Sequence, residues 1–100
     1  MSIQETLLQT GLPVAYGFFR EKQDPPYLCY MGNGQEQLLA DNRRYHHKSL
    51  FRIEYYFRRK DETAEENIEN ALDTNGYRFE KSEDIYISGE KMFVIYYYVR

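Results

Sequence analysis

The clearest pattern in the chain is the alternation of apolar and polar side chains in residues 51–58. The two sets are Phe51, Ile53, Tyr55 and Phe57 on one side and Arg52, Glu54, Tyr56 and Arg58 on the other. Successive side chains of a strand point to opposite faces of its sheet. The pattern therefore predicts a central strand from Leu50 to Arg59 with one face in the core.

The N-terminal segment has the signals of a short helix. Ser2 is followed by Glu5, which is the spacing of a capping box. Gly11 can provide a left-handed C-terminal cap, and Pro13 prevents continuation. We predict a helix from Ile3 to Thr10.

A second helix is predicted after the central strand. Either Asp61 or Thr63 can be its N-cap, and Asn75-Gly76 ends it. Its narrow apolar stripe consists of Ala64, Ile68, Ala71 and Leu72. The acidic residues are assigned to its exposed side: Glu62, Glu65, Glu66, Glu69 and Asp73.

Four further strands are predicted, and a long connection precedes the central strand. The strands are Val14–Phe19, Tyr27–Met31, Glu83–Ser88 and Met92–Arg100, and the connection is Gln35–Ser49. The first two strands can pair as a hairpin. The last two are joined by a turn at Gly89-Glu90.

The predicted element order is α-β-β-β-α-β-β, within one α+β domain covering residues 1–100. A right-handed crossover through the second helix makes its flanking strands parallel, and the last strand fits between them. We expect a mainly antiparallel sheet of about five strands with both helices packed on one face. The other face then carries many of the tyrosines.

Composition points to binding rather than catalysis. The chain has 11 tyrosines and no tryptophan, and its mean hydropathy is -0.78. Tyrosine combines an apolar ring with a polar tip and is enriched at protein interfaces. A single cysteine, Cys29, fits a reducing compartment or a protein that does not need oxidation. The chain has no signal-peptide pattern and no apolar run of membrane-spanning length, so we expect a soluble cytosolic protein.

Charge is divided between two segments although the net charge is only -3. Residues 43–60 contain seven Lys or Arg and one acid, whereas residues 61–90 contain ten acids and two basic residues. The two segments can face each other inside one fold or form separate solvated surfaces. Alternatively, they can join copies head to tail. The hypothetical subunit-interface residues are Arg43, Arg44, Arg58, Arg59, Glu62, Glu66, Glu69, Tyr56, Tyr96 and Tyr98.

No catalytic, cofactor or metal site is predicted. His46 and His47 lack the further ligands of a zinc site. A thiol–imidazole pair of Cys29 with either histidine needs a contact and an orienting group that the sequence does not indicate. We expect no enzyme activity, no cofactor, no metal and no small-molecule substrate. A small nucleic-acid-binding or regulatory module using the basic aromatic segment 43–60 is the alternative, although the pI of about 5.4 opposes it.

Several short stretches, in their order and spacing, resemble a family of small tail-morphogenesis proteins of long-tailed phages and prophages of Gram-positive bacteria. These stretches are Leu12-Pro13-Val14-Ala15-Tyr16-Gly17, Pro25-Pro26-Tyr27 with Tyr30, Ala40-Asp41-Asn42 with Tyr45, Ile53-Glu54-Tyr55 and Lys60-Asp61. The acidic helix with Glu66, Glu69 and Leu72, the stretch Tyr77–Lys81 and the final aromatic strand continue the resemblance. It covers most of the chain.

The element order also resembles that of tail-terminator and tail-completion proteins. This resemblance implies a subunit that forms a ring, hexameric in such proteins, at the head-proximal end of the tail tube. The expected partners are further copies of the chain, the tail-tube protein and head-completion proteins, with no membrane. The expected locations are the bacterial host cytoplasm during assembly and the virion tail afterwards.

Overall fold

A computed structural model describes residues 2–32 and 51–100, which form two helices and a six-stranded sheet. The elements in chain order are α1 (Ile3–Leu8), β1 (Val14–Tyr16), β2 (Tyr27–Gly32), β3 (Phe51–Phe57), α2 (Glu62–Thr74), β4 (Phe79–Lys81), β5 (Ile85–Ile87) and β6 (Met92–Val99). The α+β class is confirmed. The predicted connection Gln35–Ser49 lies outside the described residues.

Strand β6 is the centre of the sheet. It pairs with β3 along one side, in an antiparallel ladder that runs from Phe51 opposite Val99 to Phe57 opposite Phe93. On its other side β6 pairs antiparallel with β4 and then with β5. Strand β3 is therefore parallel to β4 and β5, and β6 lies between β3 and these two short strands. This confirms the predicted parallel flanking strands with the last strand between them.

The strand predicted at Glu83–Ser88 is shorter than expected, and a second short strand precedes it. Strand β4 was not predicted, and it adds Phe79–Lys81 ahead of the expected strand, now β5. Between these two strands, the Ser82 amide donates to the Tyr96 carbonyl at 2.8 Å, and the Tyr96 amide donates to the Ser82 hydroxyl at 2.9 Å. This exchange keeps the chain alongside β6 between the two short strands.

The expected hairpin between the first two strands is wrong, because β1 and β2 pair in parallel. Strand β1 ends at Tyr16 rather than Phe19, since Gly17 has a φ of +79° and turns the chain. Residues 17–26 then return to the start of β1. There the Leu28 amide donates to the Pro13 carbonyl at 2.9 Å.

The helix termini follow local side-chain chemistry. At α1 the predicted capping box is present, with Ser2 Oγ accepting from the Glu5 amide at 3.1 Å and the Ser2 amide donating to the Glu5 carboxylate at 3.0 Å. At α2 the N-cap is Asp61, whose carboxylate accepts from the amides of Thr63 and Ala64. Of the two predicted caps for α2, Asp61 is thus the one used.

Both helices contribute to a single core on one face of the sheet, as predicted. The core contains Ile3, Leu7, Leu28, Tyr30, Ile53, Tyr55, Phe57, Ile68, Leu72, Ile95, Tyr97 and Val99. Its aromatic rings stack in sequence, with centroid distances of 5.1 Å from Tyr55 to Phe57 and 5.4 Å from Phe57 to Phe93. The apolar side chains of β3 thus form part of the sheet surface on which the helices pack.

The β3–β6 register places Tyr97 in the core and its neighbour Tyr96 on the opposite face. Tyr97 is fully buried and donates to the Glu69 carboxylate at 2.9 Å. We expect Tyr97→Ala to lower the free energy of unfolding by about 3–5 kcal/mol. Tyr97→Phe, which keeps the ring, should cost about 1–2 kcal/mol. Urea denaturation gives both values, and an equal loss in Tyr96→Ala would contradict the register.

Candidate protein-binding interface

Four tyrosines lie on the sheet face opposite the helices, on three adjacent strands. Tyr27 of β2 pairs with Tyr56 of β3, while Tyr96 and Tyr98 of β6 lie opposite Glu54 and Arg52 of β3. All four side chains are half-buried. No helix among the described residues packs on this surface, which we call the tyrosine face.

A buried carboxylate organises the middle of the tyrosine face. Glu54 is only 7% exposed, although it lies on the face without helices. Its Oε1 accepts a hydrogen bond from the Tyr56 hydroxyl at 2.8 Å, and its Oε2 pairs with Arg52 at 3.2 Å. The Arg52 guanidinium in turn lies 5.7 Å from the centroid of the Tyr96 ring. These contacts restrain the side chains of Tyr56 and Tyr96.

Burial and the hydrogen bond to Glu54 raise the pKa of Tyr56 well above its ordinary value. The Tyr56 hydroxyl therefore stays protonated at physiological pH and remains a donor. Arg52 is less fully satisfied, because its Nε is buried without a hydrogen-bond partner among the described residues. The network is neutral when Glu54 and Arg52 are both charged.

The aromatic surface extends from the sheet onto the loop that follows β1. The Phe19 ring packs edge-on against Tyr27 at 5.2 Å, and Tyr27 stacks on Tyr56 at 5.0 Å. Tyr96 and Tyr98 form a second stack with centroids 6.2 Å apart. Stacked aromatics offer a large and rigid contact area at low entropic cost.

A cavity of about 440 Å³ lies between this loop and the tyrosine face. Aromatic and apolar side chains line much of it, including Phe18, Phe19, Tyr27, Tyr56 and Met92, with Arg20, Lys22, Arg58, Glu21 and Glu90 as its charged residues. Because both signs of charge are present, the cavity has no strong preference for an anion or a cation. Its aromatic and apolar lining is compatible with an apolar side chain.

Cys29 also lines this cavity and is almost fully buried, at 3% exposure. Burial, with a smaller contribution from Glu54, raises the pKa of the Cys29 thiol to about 11. The thiol is therefore neutral at physiological pH, which disfavours a nucleophilic role. The histidines considered as its partners, His46 and His47, lie outside the described residues.

The structure brings together only some of the predicted interface residues. Tyr56, Tyr96 and Tyr98 converge on the tyrosine face. Glu62 and Glu66 lie on the exposed side of α2, across the sheet from those tyrosines. Arg43 and Arg44 lie outside the described residues.

Arg58 and Arg59 are exposed where β3 ends, and neither forms a salt bridge within the described residues. They line a second cavity of about 340 Å³ together with Asp61, Pro25 and Pro26. Two exposed cations that have no ion-pair partner in the described part of the chain are available for a contact with another molecule.

Two acidic residues of α2 are used inside the subunit. The expectation that Glu65 is exposed is wrong, because it is only 3% exposed and pairs with Lys60 at 2.7 Å and Lys81 at 2.8 Å. Glu69 pairs with Lys81 at 2.9 Å and accepts the Tyr97 hydroxyl. Glu65 lies three residues before Ile68 and seven before Leu72, so helical spacing could have placed it on the buried side.

The two oppositely charged segments thus meet in part within one fold. Lys60, the last residue of the basic segment, contacts Glu65 and also Asp84, the latter at 3.1 Å. Burial opposes the charged form of Glu65, but the ion pairs with Lys60 and Lys81 outweigh it and lower the pKa of Glu65. The Lys60 contact is a close ion pair rather than a well-aligned hydrogen bond.

Within residues 2–32 and 51–100, no group of three or more His, Cys, Asp or Glu side chains could hold a metal ion. The helices described here are too short and too polar to cross a membrane. No protein-family model matches the chain. Comparisons with curated proteins and with solved structures also find no significant match.

We predict that Glu65→Gln lowers the free energy of unfolding by about 1–2 kcal/mol at pH 7, a value limited by the partial exposure of both lysines. The matched variant Glu66→Gln, one position along and exposed, should change it by less than about 0.5 kcal/mol. Denaturant titrations compare the two variants.

The effect of Glu65→Gln should depend on pH. Because the folded-state pKa of Glu65 is lowered, its stabilising contribution is present above the unfolded-state pKa and is lost as the pH falls through the folded-state pKa. The difference between wild type and variant should therefore shrink below about pH 4. A difference that stays constant from pH 7 to pH 3 would contradict the role of the ion pairs.

Proposed function

We propose that this chain is a structural subunit of a phage or prophage tail. In this proposal it is a tail-terminator or tail-completion protein that forms a ring at the head-proximal end of the tail tube and joins it to the head. The observation that carries the proposal is the tyrosine face, a preorganised aromatic surface on which no helix of residues 2–32 and 51–100 packs. The ordered set of short stretches resembling tail-morphogenesis proteins supports the particular assembly.

The tyrosine face would contact the tail-tube protein or a neighbouring subunit. A tail subunit spends part of its life free in the host cytoplasm and part buried in the virion. Tyrosine suits both states, because its hydroxyl tolerates water and its ring gains from burial. Glu54 and Arg52 hold the rings in place, so that little side-chain freedom is lost on binding.

The exposed side of α2 would face the DNA passage of the ring or lie beside it. It presents Glu62, Glu66 and Asp73, and α2 contains no Lys or Arg. An acidic lining repels the phosphate backbone and would let DNA pass without adhering. The exposed Arg58 and Arg59 would instead contact an acidic surface of a neighbouring subunit.

The first test is the mass of the purified chain in solution, measured by light scattering over a range of concentrations. The proposal predicts concentration-dependent assembly into closed rings, hexameric above all, visible by negative-stain microscopy. A monomer at every concentration would contradict it. Salt-sensitive binding of DNA or RNA by such a monomer would favour the nucleic-acid-binding alternative.

Charge reversal at Arg58 and Arg59 should impair ring formation more than folding. We expect Arg58→Glu with Arg59→Glu to shift assembly to at least about tenfold higher concentration, which corresponds to about 1.4 kcal/mol. The control is Arg78→Glu with Lys91→Glu, which makes the same change in net charge at two other exposed positions. Circular dichroism reports folding, and equal assembly by both double variants would exclude a specific role for Arg58 and Arg59.

A further inference from the structure

Within residues 2–32 and 51–100, the sheet has two unpaired edges, one at each end of the strand order. Strand β1 forms one edge, and β4 and β5 together form the other, beside β6. Among the described residues, no strand pairs with the outer side of β1 or β5. An unpaired edge presents backbone donors and acceptors that can pair with another strand.

On each edge, one tyrosine has its backbone N–H and C=O directed away from the sheet: Tyr16 on β1 and Tyr86 on β5. The Pro13 carbonyl and the Gly17 amide form hydrogen bonds with β2. Because backbone groups alternate in direction along a strand, those of Ala15 also point to β2 and those of Tyr16 point outward. On the other edge, the Ile87 carbonyl accepts from the Lys91 amide within the β5–β6 hairpin, so the Ile87 backbone points to β6. By the same alternation, the backbone N–H and C=O of Tyr86 point outward. The Tyr16 carbonyl also accepts from the Phe18 amide and keeps a second lone pair.

Exposed aromatic side chains are concentrated at these same edges. Tyr16 is 69% exposed, Phe18 just beyond β1 is 73% exposed, and Tyr86 is 55% exposed. Neither β1 nor β5 contains a charged residue or a proline, which are devices that commonly protect an edge from pairing. Strands β1 and β5 therefore have the composition of a contact, whereas β4 carries the charged residues Glu80 and Lys81.

Strand β1 of one copy can pair antiparallel with β5 of another while the helix-bearing faces of both copies lie on the same side. Strand β1 is parallel to β2, and the successive antiparallel pairings of β2, β3, β6 and β5 make β1 antiparallel to β5. Tyr16 lies on the helix-bearing face, with its ring 5.3 Å from that of Tyr30. Tyr86 lies on the same face, 5.0 Å from Phe93.

We propose that copies of the chain join edge to edge, with β1 of one copy pairing antiparallel with β5 of the next. Tyr16 and Tyr86 then form a hydrogen-bonded cross-strand pair whose rings pack together across the junction. The contact uses two different surfaces, so it is heterologous and can close into a ring. The sheet continues from subunit to subunit, and this contact does not use the tyrosine face.

This inference rests on the self-assembly in the proposed function, and disulfide trapping tests it separately. In a Cys29→Ala background, Tyr16→Cys and Tyr86→Cys are prepared as two proteins and mixed under mild oxidation. The Cα atoms of a hydrogen-bonded antiparallel pair lie about 5.5 Å apart, which is within disulfide range. We expect a cross-linked heterodimer in the mixture and at least about tenfold less cross-linking in either protein alone.

The matched control replaces Leu8, which is 51% exposed on α1, with Cys. Leu8→Cys mixed with Tyr86→Cys should cross-link no more than either protein alone. Equal cross-linking in this control, homodimers of Tyr16→Cys alone, or no cross-linking in the main mixture would each overturn the edge pairing. Rings of the wild type without the heterodimer would refute only this inference, whereas a wild type that never assembles would refute the proposed function as well.

Discussion

The antiparallel ladder between β3 and β6 is the interaction on which the rest of the structure depends. It pairs every residue of β3 from Phe51 to Phe57, and β6 carries β4 and β5 on its other side. Since side chains alternate along a strand, a shift of one residue would move the whole core set to the opposite face. The register therefore decides which aromatic residues hold the fold together and which remain available for binding.

On each face of the sheet, a carboxylate accepts a hydrogen bond from a tyrosine hydroxyl. Glu54 does so on the tyrosine face, and Glu69, next to the buried Glu65, does so on the helix-bearing face. On the helix-bearing face, Glu69 accepts from Tyr97 while its neighbour Glu65 binds two lysines. On the tyrosine face, Glu54 accepts from Tyr56 and pairs with Arg52. Such networks restrict side-chain rotation, so the same chemistry stabilises the core on one side and preorganises a contact surface on the other.

Local patterns predicted much of the fold, and contacts distant in sequence account for the differences. The alternation in residues 51–57 and the capping box of α1 are local, so the sequence was sufficient for them. The parallel pairing of β1 and β2 depends on the path of residues 17–26, which no hydrophobic period encodes. The burial of Glu65 depends on Lys60 and Lys81, which reach it from two other segments. Of the interface residues, Tyr56 followed from the alternation in β3, whereas the faces on which Tyr96 and Tyr98 lie and the internal role of Glu69 required the structure.

Hydrogen exchange of backbone amides tests the central position of the β3–β6 ladder most directly. For the dilute wild-type protein, amides of β3 and β6 within the ladder should exchange slowest, with opening free energies equal to that of global unfolding. The outward amides of the edge residues Tyr16 and Tyr86 should exchange much faster. If ladder amides exchange as fast as the edge amides, the β3–β6 pairing is not the foundation of the fold, and the division of the tyrosines between two faces loses its basis.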